Sequence, residues 1–374
     1  MLFFSNVPNL LAATVVTDEP LQQNWVKRGL VFPLGFAGPQ SAKFVSSPSV
    51  IRLKDGRLRA YIWVADDGPP WMRGNQVIIA AESDPSNPFV WKVISDQPMI
   101  GRDTSSTIRD IGVGFPYVLP RDDGPWLMYY GSWGGNWPLR QELLNRLGTA
   151  VSHDQGLSWE VVNEDTIPSG PAGSFDSGAI PSAAVIREGE NDYRMWYTAA
   201  GKYLRFGEIN QGILHIGAAR SSDGRHWTKL DEPALLAREG ATEPYEACLA
   251  RPYVLKLDGV YHMWLGVYDK EPGSRPNPPG AGSSGLSAEG AKRTGSGHGS
   301  YRIEYARSND GINWTRFADQ PIFPLTPGGF DENSHTYVSV VDMGEQLWMF
   351  YTGDGLGATG VGLATLDKSE LKAR

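Results

Sequence analysis

The chain has 374 residues, 41% of them hydrophobic and 20% charged, and carries a net charge of −8. With no basic run it lacks the electrostatic footprint of a nucleic-acid binder, and no stretch reaches the ~18 uninterrupted apolar residues of a membrane span. The single cysteine, Cys248, excludes an intrachain disulfide framework.

The first residues, MLFFSNVPNLLAATVV, are apolar but carry Pro8 and no basic region. The expectation is a soluble, cytoplasmic protein, with secretion as the alternative. The first strand expected is NWVKRGLVFPL, from Asn24 to Leu34. Beyond it two motifs alternate. One is a strand with a proline at or near its start, a turn, and an aromatic-rich strand: SPSVIRLKDGRLRAYIWV, FPYVLPRDDGPWLMYY, IPSAAVIREGENDYRMWY, RPYVLKLDGVYHMWL and HTYVSVVDMGEQLWMFY. The other is a strand, a Ser-Asp-Gly turn and a tryptophan that opens the next strand. It reads AVSHDQGLSWEVV, AARSSDGRHWTKL and YARSNDGINWTRF, with a looser copy around Trp91. Asp-Gly supplies the positive φ of a tight turn.

Trp25, Trp91, Trp159 and Trp227 are nearly evenly spaced, and the longer interval to Trp314 contains a Gly/Ser/Pro-rich stretch. Together the motifs give five units of four strands, A to D. Regular four-stranded units predict an all-β fold, one five-bladed β-propeller over residues 1–374. The fifth unit ends in GVGLATLDKSELKAR without a tryptophan strand, while NWVKRGLVFPL resembles NWTRFADQPIFPL of unit 4. The N-terminal strand is therefore expected to complete blade 5 against Gly360–Leu366 and close the ring. The stretch at about 271–300 reads as a mobile insertion able to cover the pocket.

In an antiparallel blade the start of strand A and the B–C loop share one face, and the short A–B and C–D turns share the other. The B–C connections are long here, which marks their face as the functional one. Segments leading into strand A bring acids to it: Asp110, Asp176, Glu246, and Asp331 or Glu332. Arg109, Arg251 and His335 lie beside them. Asp110, Asp176 and Glu246 are expected to be catalytic, with Glu246 raised in pKa by crowding to serve as the acid. Arg109, Arg251, His335, Glu332 and Asp67 are expected to bind substrate. Each residue has a plainer alternative. Asp110 and Asp176 can cap turns, Arg251 can pair with Glu246, and His335 can be an interior histidine. The strand B tryptophans can be packing between blades.

The RPYVLKLDGVYHMW and MFYTGDGLGATGVGLATL segments, with the recurrent Ser-Asp-Gly-Trp turn, resemble the five-bladed superfamily of arabinanases, levansucrases, invertases and mannoside phosphorylases. The resemblance covers nearly the whole chain. It implies catalytic carboxylates at the starts of blades 1 and 2 and an acid on a later blade. Asp110 matches the second of these and Glu246 the acid, while Asp176 occupies the blade 3 site. Blade 1 departs, with Ser47 in FVSSPSV where the family has a carboxylate, and Asp66 and Asp67 nearby as substitutes.

The leading expectation is a glycoside hydrolase-like enzyme acting on a small glycoside or oligosaccharide. The alternatives are a propeller enzyme with changed chemistry (phosphorolysis, group transfer or cyclisation) on a small, even anionic, substrate, and a non-catalytic carbohydrate binder. No metal motif is present and no cofactor is expected, with a cation such as calcium in the channel near His335 as an alternative. Neither nucleic acid nor membrane is expected as a partner.

Overall fold

A computed structural model describes residues 14–67, 75–84, 87–134, 144–206, 209–238, 246–269 and 301–371. The insertion at about 271–300 lies outside them. The described residues are all-β apart from short single turns of helix. After β1 (Thr14–Val16) and β2 (Val26–Phe32) come β3 (Phe44–Arg52), β4 (Leu58–Ala65), β5 (Gln76–Asp84) and β6 (Asn87–Val93). The second unit is β7 (Gly112–Leu119), β8 (Trp126–Gly134), β9 (Leu144–Ser152) and β10 (Glu160–Asn163). The third is β11 (Ser182–Gly189), β12 (Asp192–Phe206), β13 (Ile209–Ser221) and β14 (Thr228–Lys229). The fourth is β15 (Glu246–Leu257), β16 (Val260–Asp269), β17 (Arg302–Ser308) and β18 (Trp314–Phe317). The fifth contains β19 (Thr336–Asp342), β20 (Gln346–Thr352) and β21 (Val361–Asp367).

Within each unit consecutive strands pair antiparallel. The fifth unit gains its fourth strand from the start of the chain. β2 pairs antiparallel with β21, Val26 opposite Thr365 and Phe32 opposite Val361, as the repeat predicts. β1 adds a parallel strand outside β18, a pairing that the repeat does not anticipate. The inner strands touch in order, β3 to β7, β7 to β11, β11 to β15 and β15 to β19, and β19 touches β3.

The Ser-Asp-Gly turns work as their residues dictate. Asp154, Asp223 and Asp310 each accept from backbone N–H groups two to four residues ahead, and Gly156, Gly224 and Gly311 take positive φ. Each turn is then capped by the neighbouring unit. Tyr61 donates to the Gly156 carbonyl at 2.9 Å, Tyr129 to Gly224 at 2.6 Å and Trp196 to Gly311 at 2.9 Å. A Cβ on Gly156 would lie 2.0 Å from the Tyr61 hydroxyl, so the turn needs glycine for space as well as for φ. Strand B aromatics thus join units to each other, in keeping with the packing alternative for Trp196.

Four inner strands carry a β-bulge near their starts, with positive φ at Ser47, Phe115, Arg251 and Tyr337. Non-glycine residues seldom adopt this backbone, and bulges re-aim side chains where a sheet meets a site. Arg251 draws these positions together, since it donates to backbone at Ser47, at Pro116 next to Phe115 and at Val338 next to Tyr337.

Candidate functional site

Beside these positions an aromatic wall is assembled from several units. Trp63 stacks on Trp133 with centroids 5.0 Å apart, and Phe44 and Phe115 each lie 4.7 Å from Trp63. Phe115 meets Tyr337 at 5.2 Å, Tyr337 meets Tyr301 at 5.9 Å and Tyr301 meets Tyr268 at 4.9 Å. Phe115, Tyr268 and Tyr301 are only half-buried, as are Ile111 and Asp110 just ahead of β7. Ile111 packs against the Trp63–Trp133 cluster, which brings Asp110 to the rim of this wall.

Beneath the wall lies Arg251, which is 4% exposed. Its Nη1 donates to the Val338 carbonyl at 2.7 Å. Its Nη2 donates to the carbonyls of Pro48 and Pro116, both at 2.9 Å, and of Ser47 at 3.1 Å. Burial lowers its pKa to about 10. Arg251 therefore neither reaches toward substrate nor pairs with Glu246. It is a central pin that donates from β15 to backbone on β19, β3 and β7.

The expected convergence of carboxylates is not what the side chains do. Asp176 is 3% exposed and accepts from Lys229 Nζ at 2.6 Å, Ser174 Oγ at 2.8 Å and the Tyr197 hydroxyl at 3.2 Å. Burial pushes its pKa up, but these donors outweigh it and hold the carboxyl below its usual range. Lys229 belongs to β14, the outermost strand of unit 3, so Asp176 is drawn away from the axis. Unit 5 repeats the device: Asp331 accepts from Lys27 on β2 at 2.5 Å and from the Tyr351 hydroxyl at 3.2 Å. Unit 4 enlarges it. Fully buried Glu246 receives Arg316 Nη1 at 2.9 Å and Nη2 at 2.8 Å, and Arg238 Nε at 2.9 Å. Arg316 also binds Glu304, at 2.7 Å through Nη2. Burial alone would raise the Glu246 carboxyl, but Arg316 and Arg238 reverse this and hold it at about 2. The expected upward shift is thus corrected, because sequence reading supplied one arginine near Glu246 and missed the two that bind it.

The signal for those partners was present. The cations stand two residues after the repeat tryptophans: Lys27 after Trp25, Lys229 after Trp227 and Arg316 after Trp314. Units 1 and 2 carry Val93 and Val161 at the matching positions.

Of the remaining expected residues, Arg109, His335 and Glu332 bond to other groups of the protein. Arg109 donates to Glu164 at 2.5 Å, to Asp103 at 3.0 Å and to the Gly101 carbonyl at 3.1 Å. His335 accepts the Ile303 N–H at Nδ1 and lies 3.1 Å from the Phe323 carbonyl at Nε2, which fixes the neutral tautomer. Burial, with Lys27 nearby, lowers its pKa to about 4. Both ring nitrogens are thereby engaged, which leaves neither for a channel cation. Glu332 accepts from the Gly328 N–H at 3.2 Å. Asp66 accepts from the Asn75 N–H at 2.7 Å, while Asp67 is exposed at the edge of the described residues.

Comparison with known proteins fits the architecture. No family model matches the chain. The uncharacterized protein Rv1502 of Mycobacterium tuberculosis is 28% identical over 314 residues, which span 80% of this chain and 91% of the relative. A solved glycoside hydrolase superposes with a TM-score of 0.64 at 18% identity, covering 92% of both chains. A structure from the GH130 family of mannoside phosphorylases, described as containing glycoside hydrolases that target β-1,2-mannosidic linkages in Candida mannan, gives 0.58 at 17% identity, over 94% of this chain and 96% of that one. The chain shares its fold with the propeller glycoside hydrolases. At these identities the likeness speaks for the fold alone. No helix among the described residues is long and apolar enough to cross a membrane.

Proposed function

We propose that this chain is a glycoside-active enzyme on a five-bladed propeller closed by β2, with its substrate at the aromatic mouth and Asp110 as the carboxylate that touches it. The observation that carries this reading is that half-buried Asp110 adjoins Ile111, which packs on the aromatic cluster holding half-buried Phe115 and Tyr301, with Tyr268 beside Tyr301. Aromatic faces take the apolar side of a sugar ring, and a carboxyl beside them serves glycosidic bond chemistry. In this reading Asp176 and Glu246 are positioning residues that anchor the segments framing the mouth to the outer strands.

A panel of aryl glycosides, assayed with and without inorganic phosphate, tests the proposal. Asp110→Asn is expected to lower kcat/KM by about 10²–10⁴-fold. Undiminished turnover in that variant removes Asp110 from the reaction, and phosphate-dependent turnover assigns phosphorolysis. A second reading, sugar binding without turnover, is favoured by the ion-paired state of Asp176 and Glu246. It predicts glycoside binding by calorimetry with no product from any substrate.

A further inference from the structure

We propose that Arg109 is the positioning residue for Asp110: tied to Glu164 and Asp103, it sets where that carboxylate stands beside the aromatic wall. The inference rests on the reading of Asp110 given above and supplies the part that holds it in place.

Unit 4 shows the tie in its other form. Glu246 stands five residues before Arg251, the residue of positive φ in its bulge, and Asp110 stands five before Phe115, the counterpart of Arg251 in unit 2. Glu246 is held by two arginines, Arg316 on β18 and Arg238 in the segment ahead of it. Unit 2 has Val161 where unit 4 has Arg316. There the charges are exchanged and the tie moves by one residue. Arg109 is the held group, and two acids hold it. Glu164, directly after β10, accepts at 2.5 Å, and Asp103, in the segment ahead, accepts at 3.0 Å. The same parts of the unit are joined, the segment entering the inner strand and the end of the outermost strand, through the residue beside Asp110.

An ion pair near the surface seldom fixes much by itself, but this one belongs to a closed network. Each of the three guanidinium nitrogens of Arg109 donates within the protein, the third to the Gly101 carbonyl at 3.1 Å. Ser106 Oγ donates to Glu164 at 2.8 Å and accepts the N–H groups of Ile108 and Arg109. The Asp103 N–H donates to the Arg109 carbonyl at 3.0 Å. On the other side of Asp110, the Ile111 N–H donates to the Trp133 carbonyl at 3.0 Å, and its side chain packs on the aromatic cluster. β8 comes so close to this segment that a Cβ on Gly134 would lie 2.4 Å from the Ile108 carbonyl carbon. Both chain neighbours of Asp110 are thus fixed, one to the outer end of unit 2 and the other to the aromatic wall. Reacting groups must be held to within about 0.5 Å, and a misplacement of ~1 Å can cost about 10²-fold in rate.

The test is a double-mutant cycle between Arg109→Met and Asp110→Asn, read as kcat and KM. The substrates are para-nitrophenyl β-D-mannopyranoside, para-nitrophenyl β-D-galactopyranoside and para-nitrophenyl α-L-arabinofuranoside, each with and without inorganic phosphate. Arg109→Met is expected to lower kcat by about 10–10²-fold with little change in KM, and to lower it no further once Asp110→Asn is present. Glu164→Gln, which leaves Arg109 and Asp103 in place, is expected to lower kcat in the same direction and provides the measurement should Arg109→Met not fold. An equal loss of kcat with and without Asp110→Asn makes Arg109 a residue of general stability and overturns the proposal. A raised KM at unchanged kcat makes Arg109 a substrate ligand and also overturns it. Unchanged kcat and KM in the folded variant overturn it too, and leave the reading of Asp110 intact if Asp110→Asn alone loses turnover. Undiminished turnover in Asp110→Asn, or a wild-type protein that turns over none of the substrates, overturns the reading of Asp110 and the role of Arg109 with it.

Discussion

The guanidinium of Arg251, on the inner strand of unit 4, donates a 2.9 Å hydrogen bond to the carbonyl of Pro116, on the inner strand of unit 2. The same nitrogen reaches Ser47 and Pro48 of unit 1, and its twin reaches Val338 of unit 5. Removal of the side chain strips buried acceptors on three strands of their donor. Arg251→Met is expected to lower the free energy of urea unfolding by about 3 kcal/mol, since each buried group left unpaired costs about 1–3 kcal/mol and some will recruit water. Arg251→Lys should recover only part of this, because an ammonium radiates its donors from one point and lacks the planar fork.

Glu246 provides an acid-stability prediction. Its folded pKa, about 2, lies below the ordinary value of 4.5. The unfolded chain therefore binds more protons between those values, and the stabilisation present above pH 4.5 is lost as the pH falls toward 2. Thermal melts across that window should show a loss of stability that is flattened in Glu246→Gln. At neutral pH the same variant breaks a buried bidentate pair and should lose about 3–5 kcal/mol.

The buried histidines act in a higher window. His335 and His262 both have folded pKa values lowered to about 4 from 6.5, chiefly by burial. Protons are again taken up by the unfolded chain, so stability is full above pH 6.5 and declines as the pH drops to 4. In unfolding free energies measured over pH 4–6.5, the slope should be reduced in His335→Gln and reduced further when His262→Gln is added. An unchanged slope in the double variant would rule out these two residues as its source.

Gly114 tests the packing of the mouth. With Trp63 already held on its other sides, Gly114→Ala forces a methyl against the ring and should cost about 1–3 kcal/mol in denaturant unfolding. A neutral substitution there would mean that β7 can move away from Trp63.

The architecture was legible in the sequence because its signals are local and repeated. Asp154, Asp223 and Asp310 set their own turns within four residues, and the likeness of the Trp25 segment to the Trp314 segment placed β2 beside β21. The site was less legible. A residue just ahead of strand A is placed near the mouth by topology, but the direction of its side chain depends on partners distant in the chain. Asp176 turns toward Lys229 and Glu246 toward Arg316, cations that the repeat carried but whose role was not read.

The β2–β21 pairing also bears on how the molecule comes to be made. Val26–Phe32 leaves the ribosome well before its partner, Val361–Asp367. At ordinary elongation rates of ~5–20 residues per second, β2 waits tens of seconds with its hydrogen-bonding edge unpaired. Units 1 to 4 can form from neighbouring strands during that delay, but the joint between β2 and β21 must wait until β21 has been made. Such distant pairings are slow to form, so the nascent chain carries an unpaired β2 edge until β21 emerges. The pairing of one molecule's β2 with another's β21 would be the characteristic error of its assembly.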